Sequence, residues 1–553
     1  MDEAKRTLER VKNFHYILIL EGIAVGAFSG IVIVLFRLAI SKAEEYMAIL
    51  REFASHRAFM TAALFFMIFA LAMLCAFLVK KESLISGSGI PQVKGELTDR
   101  IETKWYRVLA FKFIGAAAAI GAGLSLGREG PSVQLGAMVG KGFSRITKKL
   151  HTEEKLLMTC GAGAGLAAAF NAPLAGVVFS LEELHKNFSE EVLLSTMAAA
   201  ITSDFVSRYV FGLAPVFAIE TPEMLPLKYY WIVILLGILL GVLGVFYNAS
   251  VKKTQNMYGH IKDTFLRIII PFIFAAVFSM VYPSVLGGGS NLVEGIAGGE
   301  FMLKGLLILL VVKYMYSMLS FASGAPGGIF LPLLVLGSVI GASFFDISAP
   351  LLGIDDIYLA NFVIFGMAGY FAAIVRAPIT GVILISEMTG SLSHLLTLSI
   401  VSLAAYVTAD ILGGKPIYNQ LLERILSNRV MEEGRAAETR RRRGMKLTAG
   451  VRAGAVDTGA IDGDKKRGGR RKARKVLVET PVHFGSAGDG MRVSELSLPK
   501  GTLIVSLTRD GDEIVPYGET VIRGGDRLVV LCDSDETAIV DDILNEKCRK
   551  IEI

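Results

Sequence analysis

From Ala58 to Val79 the chain carries no charged side chain, and the same holds from Tyr229 to Asn248. Each run matches the roughly 20 apolar residues that cross a hydrocarbon core. Inside lipid every backbone N–H and C=O must find a partner within the protein, so such runs fold as helices. Further apolar stretches begin near Tyr16, Val108, Leu156, Leu193, Ile268, Leu306, Ile329, Phe362, Pro378 and Leu395, many of them short or broken by Gly and Pro. More than ten membrane helices are expected, several too short to span. Composition agrees: 53% of the 553 residues are hydrophobic and 20% charged, too apolar for a soluble chain of this length.

The N-terminus, MDEAKRTLERVKNF, mixes acids and bases and offers no small-residue cleavage site, so the first helix is expected to stay in place. Cys75, Cys160, Cys532 and Cys548 follow no metal-like or paired spacing. Neither a disulfide framework nor a cofactor is implied. Charge is concentrated in one place. Between Arg435 and Lys475 there are 15 Lys or Arg against 4 Asp or Glu, a net +11 that leaves −5 for the rest of the +6 chain. Interleaved Gly and Ala make this segment, residues 431–475, a flexible basic linker. By the positive-inside rule it belongs on the cytoplasmic side, where it is either simply solvated or touches anionic headgroups; no nucleic-acid partner is expected.

Beyond the linker the composition is that of a small soluble domain, residues 476–553. Val476 to Val482, Thr502 to Thr508, Glu513 to Pro516 and Leu528 to Leu531 read as short strands, with turns at Asp510-Gly511 and Gly525-Asp526 and a closing helix from Glu536 to Asn545. A unit of about 75 residues is marginal for a single core, so dimerisation would help it.

Residues 1–430 contain an internal repeat. NAPLAGVVFSLEE (Asn171 to Glu183) aligns with RAPITGVILISEM (Arg376 to Met388) at an offset of 205, placing Glu182 opposite Glu387. Upstream, Gly127, Gly136, Gly140 and Phe143 recur as Gly328, Gly337, Gly341 and Phe344 at an offset of 201. Two matches in the same order point to duplication, and transporters commonly place their substrate site where such repeats meet. Three Gly-rich runs lead directly into Pro and then an apolar stretch: GSGIP (Gly87 to Pro91), GREGP (Gly127 to Pro131) and GAPGGIFLP (Gly324 to Pro332). Each reads as non-helical backbone followed by a helix with Pro in its first turn. Glycines of this kind also permit close helix packing. If the helices start near the midplane, their free N–H groups and positive dipole ends bind a small anion without a fixed cation.

GSGIP, GREGP, GGIFLP and GGKPIY (Gly413 to Tyr418), in this order and spacing, resemble the CLC family of chloride channels and proton-coupled chloride exchangers. The resemblance implies an all-α polytopic membrane protein of two inverted repeats of tilted and broken helices, plus the small α+β cytoplasmic domain. It further implies a homodimer in the lipid bilayer, one pore per subunit, both termini cytoplasmic, with chloride and protons as the transported partners. Carried over residue by residue, Ser88 and Tyr418 are the hydroxyl donors to the central anion, and the amides of Ile329 and Phe330 the backbone donors. Gly127, Arg128 and Gly130 frame the outer anion site. Glu129 matches the gating glutamate, which competes with the anion when charged and leaves when protonated; the alternative is an ion pair with Arg128. Glu183 aligns with the inner proton-relay glutamate of the exchangers, whereas Glu182 is expected to be structural. Ser88, in place of the Pro of nitrate-preferring members, argues for chloride.

The tail differs from the nucleotide-binding pairs of animal members. It resembles the TrkA-C (RCK-C) domain of prokaryotic potassium transport systems in Glu495 to Ile504 and Pro516 to Leu531, which implies a prokaryotic cell membrane and a small, nucleotide-like ligand. The function expected is exchange of chloride for protons, with a passive chloride channel of the same fold as the alternative. A potassium channel lacks its TVGYG-like filter here, and an intramembrane enzyme lacks HExxH or similar spacing among the 7 His.

Overall fold

The computed structural model describes residues 2–54, 58–186, 188–219, 223–429, 475–483, 486–509, 512–514, 516–533 and 536–549. Two units separate, one of Met1–Leu97 and Thr103–Ile425, the other of Thr98–Glu102 and Leu426–Ile553. The basic linker up to residue 474 and the Asp510-Gly511 turn lie outside the described residues, and Lys475 opens the first strand of the second unit.

The first unit is helical throughout. Its first half runs α1 (Asp2–Ala54), α2 (Ala58–Lys81), α3 (Ile90–Leu97), α4 (Trp105–Gly121), α5 (Glu129–Ile146), α6 (His151–Phe170), α7 (Pro173–Phe179) and α8 (Glu190–Phe211). The second runs α9 (Tyr230–Gly259), α10 (Thr264–Val281), α11 (Ser290–Ala297), α12 (Leu303–Ala322), α13 (Phe330–Leu352), α14 (Leu359–Val375), α15 (Pro378–Thr389) and α16 (Leu395–Ile411), and α17 follows over residues 417–429. Among the described residues seven helices are long and apolar enough to cross a membrane. The others are shorter or, like α6 and α8, long but less apolar. Pro stands in the first turn of α3, α5, α7, α13 and α15, where its missing N–H costs no hydrogen bond.

The two halves face each other in opposite directions, and equivalent residues prove it by bonding reciprocally. Gly127 and Gly328, 201 apart, form an antiparallel bridge in which each N–H donates to the other's carbonyl at 2.7 Å. Glu182 accepts from the amides of Ile379 and Thr380 at the start of α15, at 3.3 and 2.8 Å. Its equivalent Glu387 accepts from Leu174 and Ala175 at the start of α7, at 3.1 and 2.8 Å. Each carboxylate thus caps the other half's helix where free N–H groups and the dipole favour negative charge. Glu182 is structural, as its repeat partner implied. Glu182→Ala should therefore destabilise the purified protein by about 1–3 kcal/mol, the scale of lost charge-assisted bonds, while Glu182→Gln, which keeps an acceptor, loses less. Thermal unfolding followed by size-exclusion chromatography checks this; equal melting of wild type and Glu182→Ala would refute the capping role.

Repeat glycines sit where helices touch. A Cβ on Gly136 or Gly140 of α5 would run into the backbone of Gly161 or Leu157 on α6, and one on Gly337 or Gly341 of α13 into Gly366 or Phe362 on α14. These four serve close packing. They bring α5 against α6 and α13 against α14, and so fix where the N-termini of α5 and α13 meet.

The second unit contains β1 (Lys475–Pro481), β2 (Leu503–Arg509), β3 (Asp512–Ile514), β4 (Arg527–Asp533) and α18 (Thr537–Leu544). The antiparallel sheet has the order β1-β4-β2-β3. Leu507, Leu528, Val530 and Cys532 meet Val540 and Leu544 of α18 in one core. Burial alternates along β4, with Leu528, Val530 and Cys532 inward.

Candidate functional site

Ser88 stands between two glycines in left-handed conformation, Gly87 (φ 66°) and Gly89 (φ 99°), a backbone that a side chain at either position would strain. The buried Nζ of Lys112 on α4 pins this turn, donating to the carbonyls of Ile85 at 2.9 Å and Gly87 at 2.6 Å. Lys313 does the same for Val285 and Gly287 in the other half. The Ser88 hydroxyl is thereby held against Gly130 at the start of α5, where a Cβ would strike it. Tyr418 enters from α17 and is fully buried. Neither the Ser88 Oγ nor the Tyr418 hydroxyl has a hydrogen-bond partner among the described residues. Buried hydroxyls are mostly paired, so each of these two keeps a hydrogen bond to offer an acceptor at the start of its helix.

Ile329 and Phe330 are buried at the start of α13, where the first N–H groups of a helix have no intrahelical acceptor. Phe330 packs its ring against Phe170 of α6 and Phe371 of α14, with centroids 5.3 and 4.7 Å away, which fixes that end of α13.

Glu129 is the first residue of α5 and fully buried. Its carboxylate makes no ion pair with Arg128 among the described residues. A Cβ on Gly127 would meet both Glu129 Oε2 and the amide nitrogen of Leu331, so the carboxylate lies between the starts of α5 and α13. It occupies ground that an anion drawn by the same N–H groups would occupy. Arg128 and Leu331 also line a cavity of about 590 Å³ together with Glu44, Arg51, Ser284 and Asn291. Of the three residues expected to frame the outer anion site, Gly127 has its amide bonded to the Gly328 carbonyl.

Glu183 lies in the π turn Ser180–His185 that ends α7 and is 3% exposed. It is not a solvated helix terminus. Its Oε1 accepts from the ammonium of Lys94 on α3 at 2.7 Å, and Lys94 also donates to Asn419 Oδ1 on α17 at 2.5 Å. The sequence reading missed Lys94 and Asn419. A charge on an eight-residue helix reads as a solvated face, and nothing local reports that α3 is buried along its whole length. Tyr418 lies within electrostatic reach of both Glu129 and Glu183. The site therefore joins one acid at the start of α5, two hydroxyls and a second acid at the end of α7.

A membrane unit of two inverted halves, with broken helices aimed at unpaired hydroxyls and a buried acid, is the architecture of an ion-translocating protein. The model of the voltage gated chloride channel family matches residues 70–410, and that of the TrkA-C domain matches residues 477–545. The chain belongs to the voltage gated chloride channel family. It is 35% identical over 442 residues to proteins named H(+)/Cl(-) exchange transporter ClcA from Salmonella paratyphi B and Salmonella typhimurium, covering 78% of this chain and 93% of each relative. A solved structure described as a slow cyanobacterial Cl-/H+ antiporter superposes with a TM-score of 0.70 at 30% identity, over 74% of this chain and 98% of that one. A eukaryotic CLC transporter shares the fold, with a TM-score of 0.63 at 21% identity over 75% of each chain.

Proposed function

We propose that this protein exchanges chloride for protons across a prokaryotic cell membrane, as a homodimer with one pathway per subunit and both termini in the cytoplasm. The observation that carries this reading is the pair of buried, unpaired hydroxyls on Ser88 and Tyr418 beside the buried carboxylate of Glu129. Hydroxyl and amide donors hold a chloride moderately, whereas a fixed cation would retain it. Of the three outer-site residues read from the sequence, Arg128 and Gly130 keep amides for the outer anion, and Ile329 and Phe330 offer theirs at the centre. Glu129 links the two fluxes: charged, it competes with chloride for the same N–H groups; protonated, it withdraws. Glu183 supplies the proton from the cytoplasmic side. The Salmonella relatives named as exchange transporters support the same reading.

The test is reconstitution in liposomes with chloride and pH followed together. An imposed chloride gradient should drive protons uphill in the opposite direction. Chloride that equilibrates with no proton movement would make the protein a passive channel.

The TrkA-C domain acts as a regulator that takes a nucleotide-like ligand, and the transport machinery is complete by Tyr418. Truncation after Ser427 is therefore expected to leave a dimer that still exchanges chloride for protons at a rate within about twofold of the full chain, and to abolish any response to added cyclic dinucleotide. Normal assembly without chloride flux would place the tail in the transport mechanism.

A further inference from the structure

The Lys94 ammonium joins three segments far apart in sequence. Lys94 lies on α3, six positions after Ser88; Asn419 follows Tyr418 on α17; Glu183 ends α7. The side chains of Lys94 and Glu183 are 7% and 4% exposed, so the ion pair is shielded from water. The two helices this cation ties to Glu183 are those whose N-terminal residues carry the unpaired hydroxyls.

The other charged groups around the pair leave Lys94 as the one cation bonded to Glu183 among the described residues. Lys186 and Glu182 act on Glu183 through space. Glu182 is turned away to cap α15. Lys186 acts on Lys94 as well. His185 faces α6, with Nδ1 3.4 Å from Thr159 Oγ1 and Lys155 nearby. An ammonium at hydrogen-bond distance favours the charged form of the carboxylate it faces, and removing one partner takes that support from the other in a place shielded from water.

We propose that Lys94 is a positioning residue for proton transfer: it holds Glu183 ionised and anchored to α3 and α17, so that parting of the Lys94–Glu183 pair must precede proton uptake by Glu183. The inference rests on the reading of Glu183 as the inner proton acceptor. The step balances simply. Glu183 takes one proton from cytoplasmic hydronium and later gives it towards Glu129, while Lys94 keeps its three protons and retains Asn419 as acceptor. Proton loading is then a competition between hydronium and a tethered cation for one carboxylate, which slows loading and confines it to lower pH.

The experiment uses the full chain in liposomes at a series of symmetric pH values, with proton flux driven by a fixed chloride gradient and normalised to chloride flux in the same vesicles. Lys94→Gln keeps a donor for Glu183 and Asn419 but removes the charge; Lys94→Arg keeps the charge. Removing the cation favours the protonated carboxyl, so the half-point of proton flux in Lys94→Gln moves to higher pH by about one unit or more, a tenfold lower proton concentration. Lys94→Arg stays on the wild-type profile. An unmoved Lys94→Gln profile overturns the proposal. Infrared difference spectra between wild type and Glu183→Gln need no Lys94 variant: they should show an ionised Glu183 at neutral pH, and a protonated carboxyl band there overturns the proposal equally. If Glu183→Gln moves protons at the wild-type rate, it is the reading of Glu183 that fails. If it stops them while Lys94→Gln keeps the wild-type profile, only the role of Lys94 fails.

Discussion

Glu129→Ala is expected to pass chloride down its gradient in liposomes and to move no protons with it. The carboxylate sits between the starts of α5 and α13, close to the Leu331 amide, and is fully buried. Replacing it removes the group that can exchange a proton for an anion at that point. On the proposed reading the anion's other partners, the backbone amides at both helix starts and the hydroxyls of Ser88 and Tyr418, do not depend on the residue 129 side chain. Proton flux should therefore fall to the leak of protein-free vesicles while chloride flux continues. The measurement is uphill proton pumping by a chloride gradient. Retention of pumping by Glu129→Ala would remove Glu129 from the proton path and with it the competition between carboxylate and chloride.

Glu183→Gln is the second large effect, and its direction is the same for protons but through a different atom. The amide keeps an acceptor for the Lys94 ammonium and so preserves the bond that ties α7 to α3. It cannot take up and release a proton. Proton flux should fall to the vesicle leak, with chloride flux retained. Because the substitution also leaves the Lys94 charge without a counter-ion in a buried place, assembly is checked by size-exclusion chromatography before transport is read. Parallel loss of both fluxes in an assembled dimer would make Glu183 a structural residue. The contrast with Glu182 is instructive. Neighbours in sequence, the two acids diverge because Glu182 points to the amides of Ile379 and Thr380 at the start of α15, while Glu183 points to the Lys94 ammonium.

Local chemistry made much of this legible. Charge-free runs announced the spanning helices, because lipid admits no unpaired backbone. Pro after Gly-rich backbone located the starts of α3, α5 and α13, because proline is tolerated in a helix only where its N–H is not needed. A short β-rich run at Leu528 to Leu531, after the Gly525-Asp526 turn signal, located β4. The repeat offsets named the pairs Gly127 with Gly328 and Glu182 with Glu387. Other features had no local signature. That the Gly127 amide is spent on the Gly328 carbonyl depends on two segments 201 residues apart meeting in antiparallel register.

The sequence alone determined the membrane class, the duplication, the helix starts and the chemical types at the site, since each follows from the composition or period of a contiguous stretch. Tertiary structure decided which of those groups remain available to an ion. Among the described residues Ser88 and Tyr418 keep unpaired hydroxyls, Gly127 does not keep a free amide, and Glu183 is bonded to the Lys94 ammonium. Hydrogen-bond capacity and charge are properties of residues, but whether they are already satisfied depends on which distant segments packing brings within about 3 Å.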